Sequence, residues 1–322
     1  MNILVTHISY HASVGIIKLL RKISSFPIYV VGTSSLPKGM SCGSLMVDRF
    51  YQTPSSEYSS ENYLSTILSI IKSEKIDFVF SPDEEEALLF HQHKDALDGK
   101  IILPQPSIID LFRRKQEASL AMEQLGISIP TILSSQQLNS FCTPQEVIIR
   151  ENISCCSYGI HITNTAEIDD INKHISPTSF LQSYISGEEY TVDVFCDKNG
   201  EPQVIIPRNR IAIRNGITYK CRIEKQQKLI EICKTIYKHY FIPGISNVQF
   251  IIDSNGTPYF IELNPRIGGT TIASSLASLN LIELSILHFK NNVPLQGLNH
   301  YMSLVKWGSV VARYYEETIY LG

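Results

Sequence analysis

No apolar run in the 322-residue sequence approaches the roughly 20 residues that a bilayer-spanning helix requires. No basic leader or cleavage site marks the opening MNILVTHISY, which reads as a short apolar strand. Positive charge is not in excess. With 28 Lys and Arg against 31 Asp and Glu, the formal charge is −3, which offers no basic field to nucleic acid. Cysteine is sparse and odd in number: of seven, only Cys155 and Cys156 are close in sequence, which fits reduced thiols better than a disulfide framework. The nine histidines share no zinc-type spacing with cysteine, and His7, His11, His91 and His93 read as ordinary surface or core residues. No GxGxxG loop follows the first strand, so no dinucleotide site is expected there. What remains is an ordinary globular composition, 43% hydrophobic and 18% charged. The expectation is a soluble cytoplasmic protein with neither membrane nor nucleic-acid partner.

The first hundred residues alternate strand and helix. Strands are expected at 2–6, 28–32 and 77–80, with helices at 14–24 and 63–72, a pattern that predicts a small parallel sheet. Ligands of such sheets sit at the carboxyl ends of the strands. One of those ends carries the acidic run Asp83–Glu86, either a substrate-side feature or negative charge for a helix amino end. Pro104, Pro106 and Ser107 mark a boundary. A helix over 108–125 follows, then strands near 129–133, 146–150 and 159–163 and a helix near 166–174. From Phe180 onward longer strands dominate, at 180–185, 189–196, 203–213, 247–253 and 258–263. Helices are expected at 225–240 and 271–290, and one or two strands in the tail 301–321. The fold class is therefore mixed, α/β in the first lobe and α+β beyond it, with divisions at 1–106, 107–180 and 181–322.

The stretch NVQFIIDSNGTPYFIELNPR, 247–266, is the most informative. Asn255-Gly256 between two β-rich runs predicts a two-residue hairpin turn. Gln249 then faces Glu262 and Asn247 faces Asn264, all on one side because strand side chains alternate. Val248, Phe250, Ile252, Tyr259, Ile261 and Leu263 take the other side. An oxygen-rich wall of this kind suits Mg²⁺, with Mn²⁺ as the alternative occupant. A merely solvent-facing polar hairpin is the competing reading. The exit Asn264-Pro265-Arg266, followed by Gly268-Gly269, adds a guanidinium and lets backbone approach a ligand. Arg208 and Arg210 sit at alternate positions of one strand, so they share a face. They can meet an acceptor carboxylate or a γ-phosphate, or form the basic outer face of a sheet.

Glu262-Leu263-Asn264-Pro265-Arg266, with Gln249 upstream, resembles the metal-site motif of the ATP-grasp superfamily, in particular its carbamoyl-phosphate-synthase-like branch. The resemblance extends over essentially the whole chain. It implies an ATP-grasp fold behind a parallel α/β domain, with 107–180 as the nucleotide lid and 181–322 as the large lobe. It further implies an ATP- and Mg²⁺-dependent ligase that joins a carboxylate to an amine through an acyl phosphate, on small amino-acid-like substrates, with a homodimer as one assembly. Carried over by position, Lys115 contacts the α-phosphate and Gln182 and Ile185 hold the adenine edge. Glu189 binds the ribose hydroxyls. Gln249, Glu262 and Asn264 hold the metal, and Arg266 stabilises the transferred phosphoryl group.

Two departures from the family pattern stand out. Arg150-Glu151 replaces the expected lysine-proline, and the phosphate loop 152–159, which includes Ser157, keeps one glycine, Gly159. Arginine preserves the charge but is no neutral swap, and loss of glycine restricts positive φ. A phosphotransferase on the same fold, and an ATP-binding module without turnover, are the alternatives these departures leave open.

Overall fold

Parallel pairing organises the first lobe. Strands β1 (Asn2–Val5), β2 (Tyr29–Ser34), β3 (Arg49–Gln52) and β4 (Phe78–Phe80) align in the order β3-β2-β1-β4, every neighbour parallel. The computed structural model describes residues 1–55, 60–97, 99–134, 137, 143–154, 159–314 and 316–321. Ile3, Leu4 and Val5 are all fully buried, as expected of a strand covered on both faces. Helices α1 (His11–Leu20), α2 (Ser60–Ser73), α3 (Glu84–Gln92) and the single turn α4 (Lys94–Leu97) complete this lobe. β3 was not expected from the sequence. Arg-Phe-Tyr-Gln carries no apolar run, and it becomes a strand because the edge of β2 offers it backbone partners.

A second sheet, antiparallel in the order β5-β8-β6-β7, comprises β5 (Ile132–Leu133), β6 (Glu146–Glu151), β7 (Ile160–Asn164) and β8 (Ser179–Ser183). The third is antiparallel with six strands in the order β13-β12-β9-β10-β11-β14. Its members are β9 (Gly187–Cys196), β10 (Pro202–Arg214), β11 (Ile217–Ile223), β12 (Gly244–Asp253), β13 (Pro258–Asn264) and β14 (Val310–Ala312). Helix α8 (Gln227–His239) presents Leu229, Ile230, Cys233, Ile236 and Tyr237 as a buried stripe against Val192, Val194, Val248 and Phe250. A separate apolar cluster joins Ile3, Val5 and Ile16 of the first lobe to Phe195, Val204 and Leu281 of the last. The second sheet has a cluster of its own, Leu133, Val147, Ile149, Ile171 and Leu181.

Two expected helices are corrected. The helix over 108–125 is two helices, α5 (Pro106–Arg113) and α6 (Lys115–Gln124), separated by Arg114 at φ −92°, ψ 99°. The loop beyond β6 causes the break: the Lys115 amide donates to Asn152 O at 2.9 Å and the Gln116 amide to Asn152 Oδ1 at 2.9 Å. The helix over 271–290 is likewise interrupted. α9 (Thr271–Leu276) and α10 (Leu281–Ser285) flank a turn in which Asn280 Oδ1 accepts from the amides of Ile282 and Glu283, and the helical run continues as a π-turn through Lys290. The tail holds one strand, β14, preceded by a helix, α11 (Leu298–Ser303), that the sequence did not suggest. Between β7 and β8 the chain contains α7 (Ile168–His174), which matches the expected 166–174 helix.

The β12–β13 hairpin differs from expectation in one detail that matters. Its loop has three residues, with the Asp253 amide donating to Thr257 O at 3.1 Å and Gly256 at φ +76°. Phe250 therefore faces Phe260, one residue short of the expected pairing. A bulge at Ile261 restores it, so that Gln249 faces Glu262 and Asn247 faces Asn264. The bulge also turns Phe260, fully buried, into the core, whereas Ile261 lines the polar side instead of the apolar one.

Beneath that polar side lies a buried ion pair. Arg208 Nε donates to Asp193 Oδ2 at 2.8 Å, and both groups are essentially sealed from solvent. Thr271 and Ser274 hydroxyls donate to the same carboxylate at 2.8 and 2.6 Å, tying α9 to β9. Removing one member of such a pair strands the other charge. Arg208→Met is expected to lower the unfolding free energy by about 3–5 kcal/mol. Urea unfolding checks this, and a loss below about 1 kcal/mol would show the pair to be replaceable.

Candidate active site

Eleven of the twelve residues singled out from the sequence line one cleft of about 400 Å³ between the second and third sheets. The twelfth, Ser157, lies outside the described residues. The volume falls in the range of small-ligand pockets. Lys115 enters from the start of α6, Arg150 from β6 and Gln182 from β8; Gln249 comes from β12, Glu262 and Asn264 from β13.

Glu262 is the centre of the arrangement. Its Oε1 accepts from Gln249 Nε2 at 2.8 Å and from Asn264 Nδ2 at 3.1 Å, while Arg150 Nη2 stands 3.7 Å from Oε2. The trio is therefore brought together as expected, but with both amide nitrogens facing the carboxylate. The Gln249 oxygen accepts from Arg210 at 3.0 Å and the Asn264 oxygen from Arg266 at 3.2 Å. A half-turn of either amide presents its oxygen to the carboxylate side, where a hard divalent cation would be held. Burial raises the pKa of Glu262, yet the Arg150 and Lys115 charges, the Asn264 hydrogen bond and Arg266 together outweigh it and hold the carboxyl below its ordinary value.

Arg150 is buried and makes further bonds to Gln182 Oε1 at 3.3 Å and to Ile261 O at 3.4 Å. The second of these reaches the carbonyl at the bulge. Because Arg150 occupies the Gln182 oxygen, the Gln182 amide nitrogen must point elsewhere, and this buried donor has no partner among the described residues. An unpaired donor in an otherwise paired cleft fits an acceptor on a ligand such as a purine ring. Ile148 of β6 and Ile160 and Ile162 of the edge strand β7 add an apolar wall beside it, a feature the sequence reading passed over because alternate apolar residues of short strands carry little signal.

The two arginines of β10 differ in role. Arg208 is committed to Asp193 beneath the surface. Arg210 bonds Glu189 Oε2 at 2.9 Å, Gln249, Thr218 Oγ1 at 3.0 Å and Gly216 O at 2.6 Å. Glu189 thus carries a counter-charge here, and its carboxylate is only partly covered. At the far end, Arg266 Nε meets Glu84 Oε1 at 3.1 Å. Burial lifts the Glu84 carboxyl above its ordinary value in spite of Arg266. The acidic run therefore serves both readings: Asp83 Oδ1 caps α3 at the Glu86 amide, and Glu84 reaches the cleft. Gly268 and Gly269 make room for protein side chains. A Cβ on Gly268 would lie 2.8 Å from Asn247 Nδ2, and one on Gly269 would lie 2.1 Å from His11 Nε2. His11, read from sequence as an ordinary residue, closes this end of the cleft; burial and then Arg313 and Arg266 lower its pKa, keeping it neutral.

Comparison with known proteins shows what the chain resembles in sequence and fold. The family model described as "ATP-grasp in the biosynthetic pathway with Ter operon" matches residues 176–306. A carbamoyl phosphate synthase large chain of Sulfolobus acidocaldarius is 24% identical over 250 residues, 71% of this chain. The chain spans half or less of the curated relatives it matches, 48% of one and 24% of the other. Among solved structures, a biotin carboxylase of Campylobacter jejuni superposes with a TM-score of 0.71 at 16% identity, covering 96% of this chain and 74% of that one. An N5-carboxyaminoimidazole synthetase of Staphylococcus aureus, complexed with ADP, gives 0.70 at 16% identity, covering 92% and 80%.

Since the Arg150 charge pulls the Glu262 pKa down, Arg150→Met should move the Glu262 carboxyl titration upward. Carboxyl-detected NMR over a pH series reads this directly; a midpoint that stays put would mean that Lys115 and Arg266 suffice.

Proposed function

We propose that the chain is a member of the ATP-grasp superfamily and an ATP- and Mg²⁺-dependent ligase joining a carboxylate to an amine. The observation that carries this reading is the convergence of Gln249, Glu262 and Asn264 with Lys115, Arg150 and Arg266 on one cleft. Oxygen donors of this type suit a hard divalent ion shared with phosphate oxygens, and the unpaired Gln182 amide suits an adenine acceptor. The residues present fit both groups.

In this reading Glu262 and Asn264, with Gln249 beside them, hold the metal. When bound there, Mg²⁺ neutralises charge on the β- and γ-phosphate oxygens. Lys115 and Arg150 flank the phosphate chain, Gln182 and the backbone at Ile185 fix the adenine edge, and Glu189 meets the ribose once Arg210 releases it. The substrate carboxylate attacks the γ-phosphorus and ADP leaves; Arg266 screens the charge that accumulates. An amine then displaces phosphate from the acyl phosphate, forming the amide. Arg210 orients Gln249, and Arg208 acts from below by holding Asp193 and, through it, α9. Amino-acid-like carboxylates and amines are the substrates this scheme favours, and the second sheet acts as the lid that excludes water during transfer.

An ADP-release screen over pooled carboxylates and amines, with mass spectrometry of products, tests the proposal. Glu262→Ala should reduce metal-dependent ADP formation by at least about 100-fold. Ordinary activity in that variant removes the site assignment. ADP with a stable phosphorylated product and no amide replaces the ligase by a phosphotransferase, and ATP binding without ADP release across the pool leaves a binding module.

A further inference from the structure

On the outer side of the second sheet, β7 and α7 bring His161, Asp170 and His174 together. One donor atom from each lies within 4.8 Å of the other two. His161 Nε2 is 2.7 Å from Asp170 Oδ2, and His174 Nδ1 is 3.1 Å from Asp170 Oδ1. The two imidazoles stack with centroids 3.7 Å apart and planes inclined by 15°. All three side chains are about one-third exposed, so the cluster is open to an ion from solvent. The His161 hydrogen bond holds the Asp170 carboxyl down at about 2, so it is charged at neutral pH.

We propose that His161, Asp170 and His174 form a site for a zinc-class divalent transition ion, separate from the cleft. Two imidazole nitrogens and one carboxylate oxygen are the donor set of three-ligand zinc sites that leave a fourth position to water. Imidazole discriminates against Mg²⁺, so the ion of the cleft does not compete here. Bond lengths of about 2.0–2.1 Å to a tetrahedral ion put donor atoms roughly 3.3 Å apart. The present nitrogen–oxygen spacings of 2.7 and 3.1 Å are within a few tenths of an ångström of that, and ion binding also requires the two stacked rings to turn out of parallel so that both in-plane lone pairs meet at one point. Spacing alone concealed the site: Asp170 and His174 share one face of α7, but His161 arrives from another element.

Placement suggests what such an ion does. Along β7, Ile160 and Ile162 face the cleft, and His161 takes the opposite side. An ion bound there pins α7 to the back of the strand whose front covers the nucleotide position, and so stiffens that strand.

The test uses full-length protein stripped with a chelator and then saturated with Mg²⁺. Co²⁺ is added as the probe, and its visible d–d absorption is followed. The expected result is one Co²⁺ per chain with tetrahedral-type bands, displaced by Zn²⁺. His161→Ala, Asp170→Asn and His174→Ala should each weaken binding at least tenfold, and Glu262→Ala should leave the bands intact. Absence of bands in the wild-type protein, bands that survive in both histidine variants, or bands lost in Glu262→Ala would each overturn the proposal. None of these readouts depends on ligase activity.

Discussion

A carboxylate partly withdrawn from water keeps its charge most readily when positive groups surround it, and Glu262 is the point at which this protein meets that demand. Arg150, Lys115 and Arg266 reach it from three different parts of the chain. Two side-chain amides hold its near oxygen. The second sheet, the α5–α6 break and the turn after β13 all deliver one of those partners. The half-buried carboxylate thus helps to explain why the sheets meet where they do, because Arg150 is costly to bury and finds Glu262 only if the two sheets approach.

The β12–β13 hairpin shows how a local irregularity can preserve a functional register. A three-residue loop shifts the pairing by one, and a single extra residue at Ile261 shifts it back before Glu262 is reached. The bulge does two further things: it turns Phe260 into the apolar core and leaves the Ile261 carbonyl for Arg150 to contact. Strand alternation alone, applied with an ideal turn, arrives at the correct opposition of Gln249 and Glu262 but at the wrong face for Ile261.

Much of this was legible from residue order. The parallel first lobe and the strands around the cleft follow from alternation and turn residues, as do the positions of Gln249, Glu262, Asn264, Arg208 and Arg210, whereas Lys115, Arg150, Gln182, Ile185 and Glu189 came only with the family resemblance. What was hidden depended on partners distant in sequence. Lys115 starts a new helix because Asn152 satisfies the first amides of that helix, and β3 exists because β2 has an open edge. Arg208 and Arg210, equivalent by spacing, part company because Asp193 lies beneath one and Glu189 beside the other. His11 gave no signal, since its place in the cleft is set by Gly269, which lies more than two hundred residues further along the chain.

Among the described residues the apolar cluster of the second sheet is small, five buried side chains, whereas the first lobe and the last share a continuous interior. Cooperative units with little apolar contact open at lower free energy than the rest of a molecule. The segment carrying Arg150 and Gln182 is therefore expected to exchange its amide hydrogens ahead of the remainder of the chain. Whatever fills the space between the sheets slows that exchange, so occupancy becomes visible as a change in local protection with no change in overall shape.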